Sequence, residues 1–281
     1  MRRVAAVVFL FCLSLISAGA QVEIIDGKGR KVQIPKNPTA VTITPVATDF
    51  VFSVGAGDNL LAVSSFSPTH GRNLPQVGSV FGLDFEKVVA LNTDVVISGL
   101  VSDDFIRARL ERCGVKFVYL HGEGLDNIEK NIRLVGKIFG RDAEAGKIAD
   151  DFVLRTKPVE TKKPKRALFI FSSVAAGRGS YVSDLMSRCG FENCAEEANT
   201  QWPVLQREFV VKANPEVLFV AFMNPEDKVG ALERLRSDIA WRATDAVIKN
   251  NIYFVDAADI ILPSARVVNA VDIFMRAFRA K

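Results

Sequence analysis

Histidine and cysteine are scarce in this chain. Its 281 residues include two histidines and four cysteines, whereas a structural zinc site needs about four such ligands at short spacings. The signatures of P-loop proteins, zinc proteases and nucleophile-elbow hydrolases are missing as well. These absences favour a binding protein with no catalytic residues, no resident metal and no other cofactor. The alternative is a secreted two-lobed hydrolase or metal-dependent enzyme whose active-site residues lie on loops without a signature.

A large excess of one charge is also lacking. The chain has 36 Lys and Arg against 32 Asp and Glu, whereas a nucleic-acid surface usually needs a concentrated basic face. The one dense basic run, at residues 162–166, adjoins prolines and is interpreted as a solvated linker. Because 49% of the residues are hydrophobic, intrinsic disorder is excluded. We therefore expect a folded monomer that does not bind nucleic acid.

Only the N-terminus carries a long apolar run. Arg2 and Arg3 precede an apolar stretch at residues 4–16, and the small residues Ala18, Gly19 and Ala20 follow it. A helix of this length rises about 20 Å, which is too short for a hydrocarbon core of about 30 Å. The pattern is typical of a secretory signal peptide. We predict cleavage after Ala20 and export to a periplasm.

Three cysteines follow the predicted cleavage site, so an oxidising compartment permits at most one internal disulfide. Cys189 and Cys194 are close in sequence and are the natural pair. Cys113 precedes Gly114 and an apolar strand pattern. We expect it to be a small buried hydrophobic residue.

Strand and helix patterns alternate along most of the chain, which indicates parallel sheets with helices on their faces. A long helical pattern at residues 125–157, with a break at Gly140-Arg141, interrupts this alternation. The predicted fold is α/β, with two Rossmann-like lobes bridged by a single long α-helix and a ligand cleft between the lobes. The predicted boundaries are a signal peptide at 1–20, an N-terminal lobe at 21–140, a linking helix and basic linker at 141–163, and a C-terminal lobe at 164–281.

An internal repeat supports two related lobes. Residues 86–97 match residues 208–219 at a constant offset, with a glutamate, two valines, an asparagine, an acid and a further valine in common. Any helix–turn–strand unit would share the valines. The glutamates, Glu86 and Glu208, are explained less well in this way, because an acid in the first helical turn need not recur in register.

Several segments resemble the iron-chelate and cobalamin periplasmic binding proteins of ABC importers. They include residues 29–41, 54–63 and 83–97 in the first half of the chain, and Trp202-Pro203 ahead of Arg207-Glu208 in the second. The resemblance implies a solute-binding protein that carries a siderophore, haem or a cobalamin to an inner-membrane permease. It also implies that Glu86 and Glu208 pair with permease arginines, as charge-assisted contacts that fix the docking register.

The resemblance further suggests which loops hold the ligand. Phe81 and Trp202 match positions at which aromatic side chains contact a flat or bulky ligand, and aromatic faces offer contact area with little rotamer entropy. Arg178 or Arg266 would bind a ligand carboxylate as a fork, although Arg266 also fits a role in bracing the terminal helix. The predicted ligand-binding residues are Phe66, Phe81, Arg178, Tyr181, Trp202 and Arg266.

Overall fold

The computed structural model describes residues 21–99 and 104–280. The predicted signal peptide and its cleavage site lie outside these residues. Within the two described ranges, no helix is both long and apolar enough to cross a membrane.

The first lobe, here called the N-lobe, is built on a parallel sheet. Its strand order is β4 (Leu60–Ala62), β3 (Ala40–Thr42), β7 (Val95–Ser98) and β8 (Lys116–Tyr119), and a separate antiparallel hairpin of β1 (Gln21–Ile25) and β2 (Lys31–Pro35) lies beside it. The residues of β3 and β7 are all buried, as expected for parallel strands covered on both faces. In chain order its elements are β1 (Gln21–Ile25), β2 (Lys31–Pro35), β3 (Ala40–Thr42), α1 (Pro45–Ser53), β4 (Leu60–Ala62), β5 (Gly78–Ser79), β6 (Gly82–Leu83), α2 (Phe85–Ala90), β7 (Val95–Ser98), α3 (Asp104–Arg112) and β8 (Lys116–Tyr119).

The helical stretch between the lobes is divided at the predicted break: α4 (Leu125–Ile138) precedes it, and α5 (Asp142–Arg155) follows it within the predicted linking segment at 141–163. Gly140 adopts a left-handed φ of 63°, and the Arg141 N–H donates to the Gly136 carbonyl, which is the hydrogen bond that ends a helix in a Schellman motif. The chain reverses at this point and the two helices pack antiparallel. Arg133 of α4 pairs with Asp150 of α5 at 2.7 Å.

The second lobe, here called the C-lobe, has a five-stranded sheet. Its order is β10 (Val174–Ala175), β9 (Lys165–Phe171), β12 (Val217–Phe222) and β13 (Ile252–Asp256), with β11 (Phe191–Asn193) also paired to β9. Apart from the short antiparallel β10, its pairings are parallel. In chain order its elements are β9 (Lys165–Phe171), β10 (Val174–Ala175), α6 (Tyr181–Arg188), β11 (Phe191–Asn193), α7 (Arg207–Ala213), β12 (Val217–Phe222), α8 (Asp227–Ser237), α9 (Asp245–Ile248), β13 (Ile252–Asp256), α10 (Ala257–Ile260) and α11 (Val268–Arg279).

One apolar core runs through both lobes. A single cluster of buried side chains contains Phe50 of the N-lobe, Ile132 of α4, Phe152 of α5, and Phe169 and Phe274 of the C-lobe. The helix pair is therefore an integral part of the core and not a tether between separate bodies. Smaller clusters cover the outer face of each sheet.

Candidate functional site

Phe66 is presented to solvent by the loop that follows β4. Its side chain is 93% exposed, and its φ of 65° lies in the left-handed region, which is unusual for a bulky residue and costs about 1–3 kcal/mol. Hydrogen bonds between buried or half-buried hydroxyls hold the turn beneath it, with Ser64 and Ser67 at 2.6 Å and Thr48 and Ser67 at 2.9 Å. Such strain in a braced turn is characteristic of functional positions.

Phe81 lies near the tip of the β5-β6 hairpin and is 92% exposed. The Phe66 loop and this hairpin are joined, because the Ser65 N–H donates to the Gly78 carbonyl at 2.7 Å. The structure thus brings two of the predicted aromatic residues onto adjacent segments of the N-lobe. Both rings are free of the core and available to a ligand.

Trp202 belongs to the C-lobe and is half-buried. Its neighbours in sequence are fixed by backbone hydrogen bonds: the Gly177 N–H donates to Gln201 at 2.8 Å and the Ala175 N–H to Pro203 at 2.9 Å. The indole packs edge-on against the Tyr181 ring at 5.9 Å between centroids. Trp202 therefore has a rigid support and retains partial exposure.

Tyr181 is buried in the structure, and its role as a ligand-binding residue stays a prediction. Its side chain is 1% exposed and its hydroxyl donates to the Ile260 carbonyl. Burial raises the pKa of this phenol well above its usual value. Tyr181 is the first residue of α6, and its side chain points into the core, where it supports Trp202.

The two predicted arginines differ. Arg178 is exposed, and among the described residues only its Nε atom is engaged: it donates to the Glu196 carbonyl at 2.8 Å and lies 3.8 Å from the Glu196 carboxylate. Arg266 pairs with Asp259 at 3.1 Å in a 3-10 turn just before α11. Arg178 thus keeps its terminal guanidinium nitrogens available, whereas Arg266 braces the start of the terminal helix.

Glu123 is a further polar residue at the junction of the lobes, which we did not predict. It follows β8 and precedes α4, and its buried Oε1 atom has no hydrogen-bond partner among the described residues. Burial raises its pKa, and the nearby Tyr181 backbone and Trp202 side chain oppose that rise. An acid between Gly122 and Gly124, directly after a strand, was the available sequence signal.

The structure shows Cys189 and Cys194 as free thiols, without the disulfide predicted between them. Cys189 packs in the core shared by the lobes, whereas Cys194 packs in the cluster on the opposite face of the C-lobe sheet. Burial raises the pKa of Cys189 to about 12 and that of Cys194 to about 11. Cys113 is exposed and not buried as predicted, because it follows α3 on the surface of the N-lobe.

The repeated units are structurally equivalent. Asn92 and Asn214 both end a helix with a left-handed φ, of 47° and 36°. The acids that follow clamp the neighbouring strands: Asp94 accepts from the Thr39 N–H at 2.8 Å, and Glu216 accepts from the Arg166 N–H at 2.9 Å. The repeated asparagine and acid therefore have structural roles.

Glu86 and Glu208 have no such role. Each is the second residue of its helix, α2 or α7, and each side chain is exposed. Across residues 21–99 and 104–280, no ion pair includes either glutamate. They are repeated, charged and available to a partner.

Two surface cavities adjoin these units. A groove of about 410 Å³ beside Glu86 is lined by Phe85, Val89, Arg109, Leu110 and Cys113 among others. A cavity of about 760 Å³ opens in the C-lobe between β12 and α8, with Met223, Asp238 and Trp241 in its wall. None of the predicted ligand-binding residues lines either cavity.

Metal coordination by clustered side chains finds no support in the described part of the chain. No group of three or more His, Cys, Asp or Glu there is arranged to hold a metal ion. His70 lies 3.7 Å from Asp49, and burial together with Lys130 lowers the pKa of His121.

The chain belongs to the periplasmic binding protein family, because the model of that family matches residues 41–258, more than half of the sequence. Members bind and deliver solutes and are not enzymes, so the enzyme alternative is set aside. The vitamin B12-binding protein of Vibrio campbellii is 26% identical over 242 residues, which cover 82% of this chain and 86% of that protein.

Solved structures confirm the fold. The periplasmic vitamin B12-binding protein of Vibrio cholerae superimposes with a TM-score of 0.72 at 22% identity, covering 87% of this chain and 98% of that one. The periplasmic haem-binding protein of the same species gives a TM-score of 0.72 at 20% identity, covering 86% and 98%. The predicted α/β class with two parallel-sheet lobes is correct.

Proposed function

We propose that this chain is the solute-binding protein of an ABC importer and that its solute is a cobalamin or an iron complex, either a siderophore or haem. The observation that carries the proposal is the set of aromatic side chains on loops of both lobes. Phe66 and Phe81 project from joined loops of the N-lobe, and Trp202 is held at the surface of the C-lobe. Exposed aromatic faces on rigid supports suit a large, flat or rigid ligand.

The relatives support this ligand class. Similar proteins are named for vitamin B12 and haem, which are both macrocycles bearing carboxylate or amide side arms. Arg178, with its terminal guanidinium nitrogens available, suits a carboxylate or another acceptor on such an arm. We keep the predicted division into lobes, with 141–163 as the connection, and propose that these loops face one cleft from its two sides.

Glu86 and Glu208 form the proposed permease-docking pair. Both are exposed, and their repeated neighbours, the asparagines and the strand-clamping acids, are already accounted for by the fold. An unpaired carboxylate on each lobe suits two arginines on a symmetric membrane partner. We further propose that residues 1–20 are removed after Ala20 and that the remaining chain acts as a periplasmic monomer.

Calorimetric titration of the purified chain with cyanocobalamin, haemin and ferrichrome tests the ligand class. One of these ligands should bind with a dissociation constant of about 1 µM or tighter, which is about −8 kcal/mol. Trp202→Ala should weaken that binding at least tenfold, because an aromatic contact is worth about 1.5 kcal/mol or more when truncated.

Trp241→Phe is the matched control, since Trp241 lines the C-lobe cavity and not the aromatic loops. It should leave the affinity unchanged. Absence of binding by all three ligands would refute the proposed ligand class. Loss of binding in Trp241→Phe but not in Trp202→Ala would move the site to the C-lobe cavity.

A further inference from the structure

A strongly basic cavity lies between the end of α5 and the last turns of α11. Its volume is about 680 Å³, which is within the range of small-molecule sites. Of the described residues that line it, one is an acid, Asp272, and four are cations: Arg155, Lys157, Arg276 and Arg279. The whole chain has a net charge of only +4, so positive charge is concentrated at this cavity.

Most of these cations have no counter-charge. Arg155 pairs with Asp272 at 2.9 Å. Lys157, Arg276 and Arg279 are exposed, and within residues 21–99 and 104–280 none of their side chains forms an ion pair or donates a hydrogen bond. Like charges that share a cavity repel one another, so this arrangement favours the binding of an anion.

The dipole of α11 does not account for Arg276 and Arg279. Cations near the end of a helix stabilise its last carbonyls. That role belongs to Lys165, whose ammonium donates to the Ala277 carbonyl at 3.2 Å and also to the Ala280 carbonyl. Arg276 and Arg279 line the cavity instead. Their side chains are therefore available to a ligand.

Phosphate has the chemistry that matches this cavity. A guanidinium presents a planar fork of N–H donors that fits two phosphate oxygens, and an ammonium adds a compact charge. A phosphate monoester carries about −1.5 to −2 charges at pH 7, so one such group can engage several of the unpaired cations. A carboxylate has a single charge and would leave most of them unpaired.

We propose that the cavity between α5 and α11 is a second binding site of this protein and that it takes a phosphate-bearing anion. It lies at the amino end of β9, because Lys165, which contacts α11, is the first residue of that strand. The loops of Arg178 and Trp202 lie next to β10, at the carboxyl end of β9. The cavity is thus separate from the proposed solute site, and this inference does not rest on the proposed function.

Calorimetric titration with sodium pyrophosphate tests the site. The wild type should bind pyrophosphate, and the affinity should fall several-fold between about 20 mM and about 200 mM NaCl, because salt screens exposed charges. Arg276→Ala combined with Arg279→Ala should weaken the binding at least tenfold, since the loss of a hydrogen bond between charged groups is worth about a factor of ten.

Arg234→Ala combined with Arg242→Ala is the matched control. Both arginines are exposed residues of the C-lobe, and neither lines this cavity. The control removes the same charge and should leave the affinity for pyrophosphate unchanged. Lys157→Ala is a second test from the other wall: it should weaken binding several-fold although α11 is unaltered, so a distortion of α11 cannot explain the loss.

Cosedimentation with vesicles distinguishes two sources of the anion, because a soluble phosphorylated compound and a phospholipid headgroup share this chemistry. Vesicles of phosphatidylglycerol mixed with phosphatidylcholine are anionic, and vesicles of phosphatidylcholine alone are the neutral comparison. Binding to the anionic vesicles that the Arg276 and Arg279 double variant loses would assign the site to a lipid surface. Binding of pyrophosphate without binding of vesicles would assign it to a soluble compound.

The proposal is overturned if neither pyrophosphate nor the anionic vesicles bind, or if the Arg276 and Arg279 double variant binds them as tightly as the wild type. It is also overturned if the Arg234 and Arg242 double variant loses affinity to the same extent, because the binding would then follow net charge and not this cavity.

Discussion

At the scale of single residues, the repeated units separate structural acids from available ones. Asp94 and Glu216 each accept a backbone N–H from the strand beside them, so removal of either would leave a strand donor unpaired. Glu86 and Glu208 occupy the first turn of short helices and contact no cation in the part of the chain that the structure describes. The same repeat thus contains one acid that maintains the fold and one that is free to interact.

Charge reversal at the free acids tests the docking proposal. Glu86→Lys combined with Glu208→Lys should abolish uptake of the ligand that the titration identifies, because each lost charge-assisted pair costs about 1.5–3 kcal/mol and the new charges repel. Uptake by cells that produce each variant is the measurement. Affinity of the purified variant for the ligand should be unchanged.

Glu233→Lys serves as the control, because Glu233 is an exposed acid on α8 outside the repeat. It should preserve uptake.

Cys113 reports on the same face, since it lines the groove beside Glu86. Burial raises the pKa of the other two described thiols. A maleimide should label Cys113 first, and permease docking should protect it. Lost ligand affinity in the double variant would place these acids in the cleft.

Residue type and local sequence predicted the exposure of some candidate site residues and missed that of others for physical reasons. Phe66, Phe81 and Trp202 were predicted, and the structure leaves all three at least partly exposed. Tyr181 lies next to the same loops, but the first residue of a helix turns either to solvent or to the core, and its own sequence does not decide which. Glu123 was missed because the residues that surround its carboxylate, Tyr181 and Trp202, are about 60–80 residues away in the chain.

At the scale of elements, the α4-α5 pair shows the effect of one glycine. The helical pattern at residues 125–157 contains a predicted break at Gly140-Arg141, and Gly140 adopts the left-handed conformation that ends α4 and reverses the chain. Short local patterns predicted the strands and most helices, because a strand that is buried on both faces appears in the sequence as an apolar run. The two helices approach closely where Gly136 lies against Ala145, a contact that only the folded chain reveals.

Two glycines of the helix pair allow a direct test. A methyl group added at Gly136 would collide with the side chain of Ala145, so Gly136→Ala should destabilise the protein by about 1–3 kcal/mol through overpacking. Gly146 lies in α5 with nothing within 4 Å of such a methyl group. Gly146→Ala should stabilise it by about 0.5–1 kcal/mol, because alanine loses less backbone entropy in a helix.

The free energy of unfolding, measured by urea denaturation, distinguishes the two substitutions. Opposite signs for the two variants are expected. A neutral Gly136→Ala would mean that the helices do not pack as closely as the structure shows.

At the scale of the whole molecule, the continuous core predicts joint unfolding of the lobes. Phe50, Phe152 and Phe274 belong to one buried cluster that spans the N-lobe, the connecting helices and the C-lobe. Loss of one lobe would expose apolar surface of the other, so neither has a complete core alone. Hinge motion between the lobes should also be small.

Differential scanning calorimetry checks this expectation. Melting should occur in one transition whose calorimetric and van't Hoff enthalpies agree. A core substitution in one lobe, Phe50→Leu or Phe274→Leu, should move that single transition to a lower temperature. Two separate peaks, only one of which responds to each substitution, would contradict a shared core.

The shared core also has a mechanical consequence for cargo release. A binding protein whose lobes swing on a loose tether releases its solute whenever thermal motion opens it, whereas a stiff frame resists opening. In the proposed importer, release of the solute then requires a force that the permease applies to the lobes. Glu86 and Glu208 lie on different lobes. A permease that binds both would therefore move the lobes relative to each other, with the α4-α5 pair as the axis of that movement.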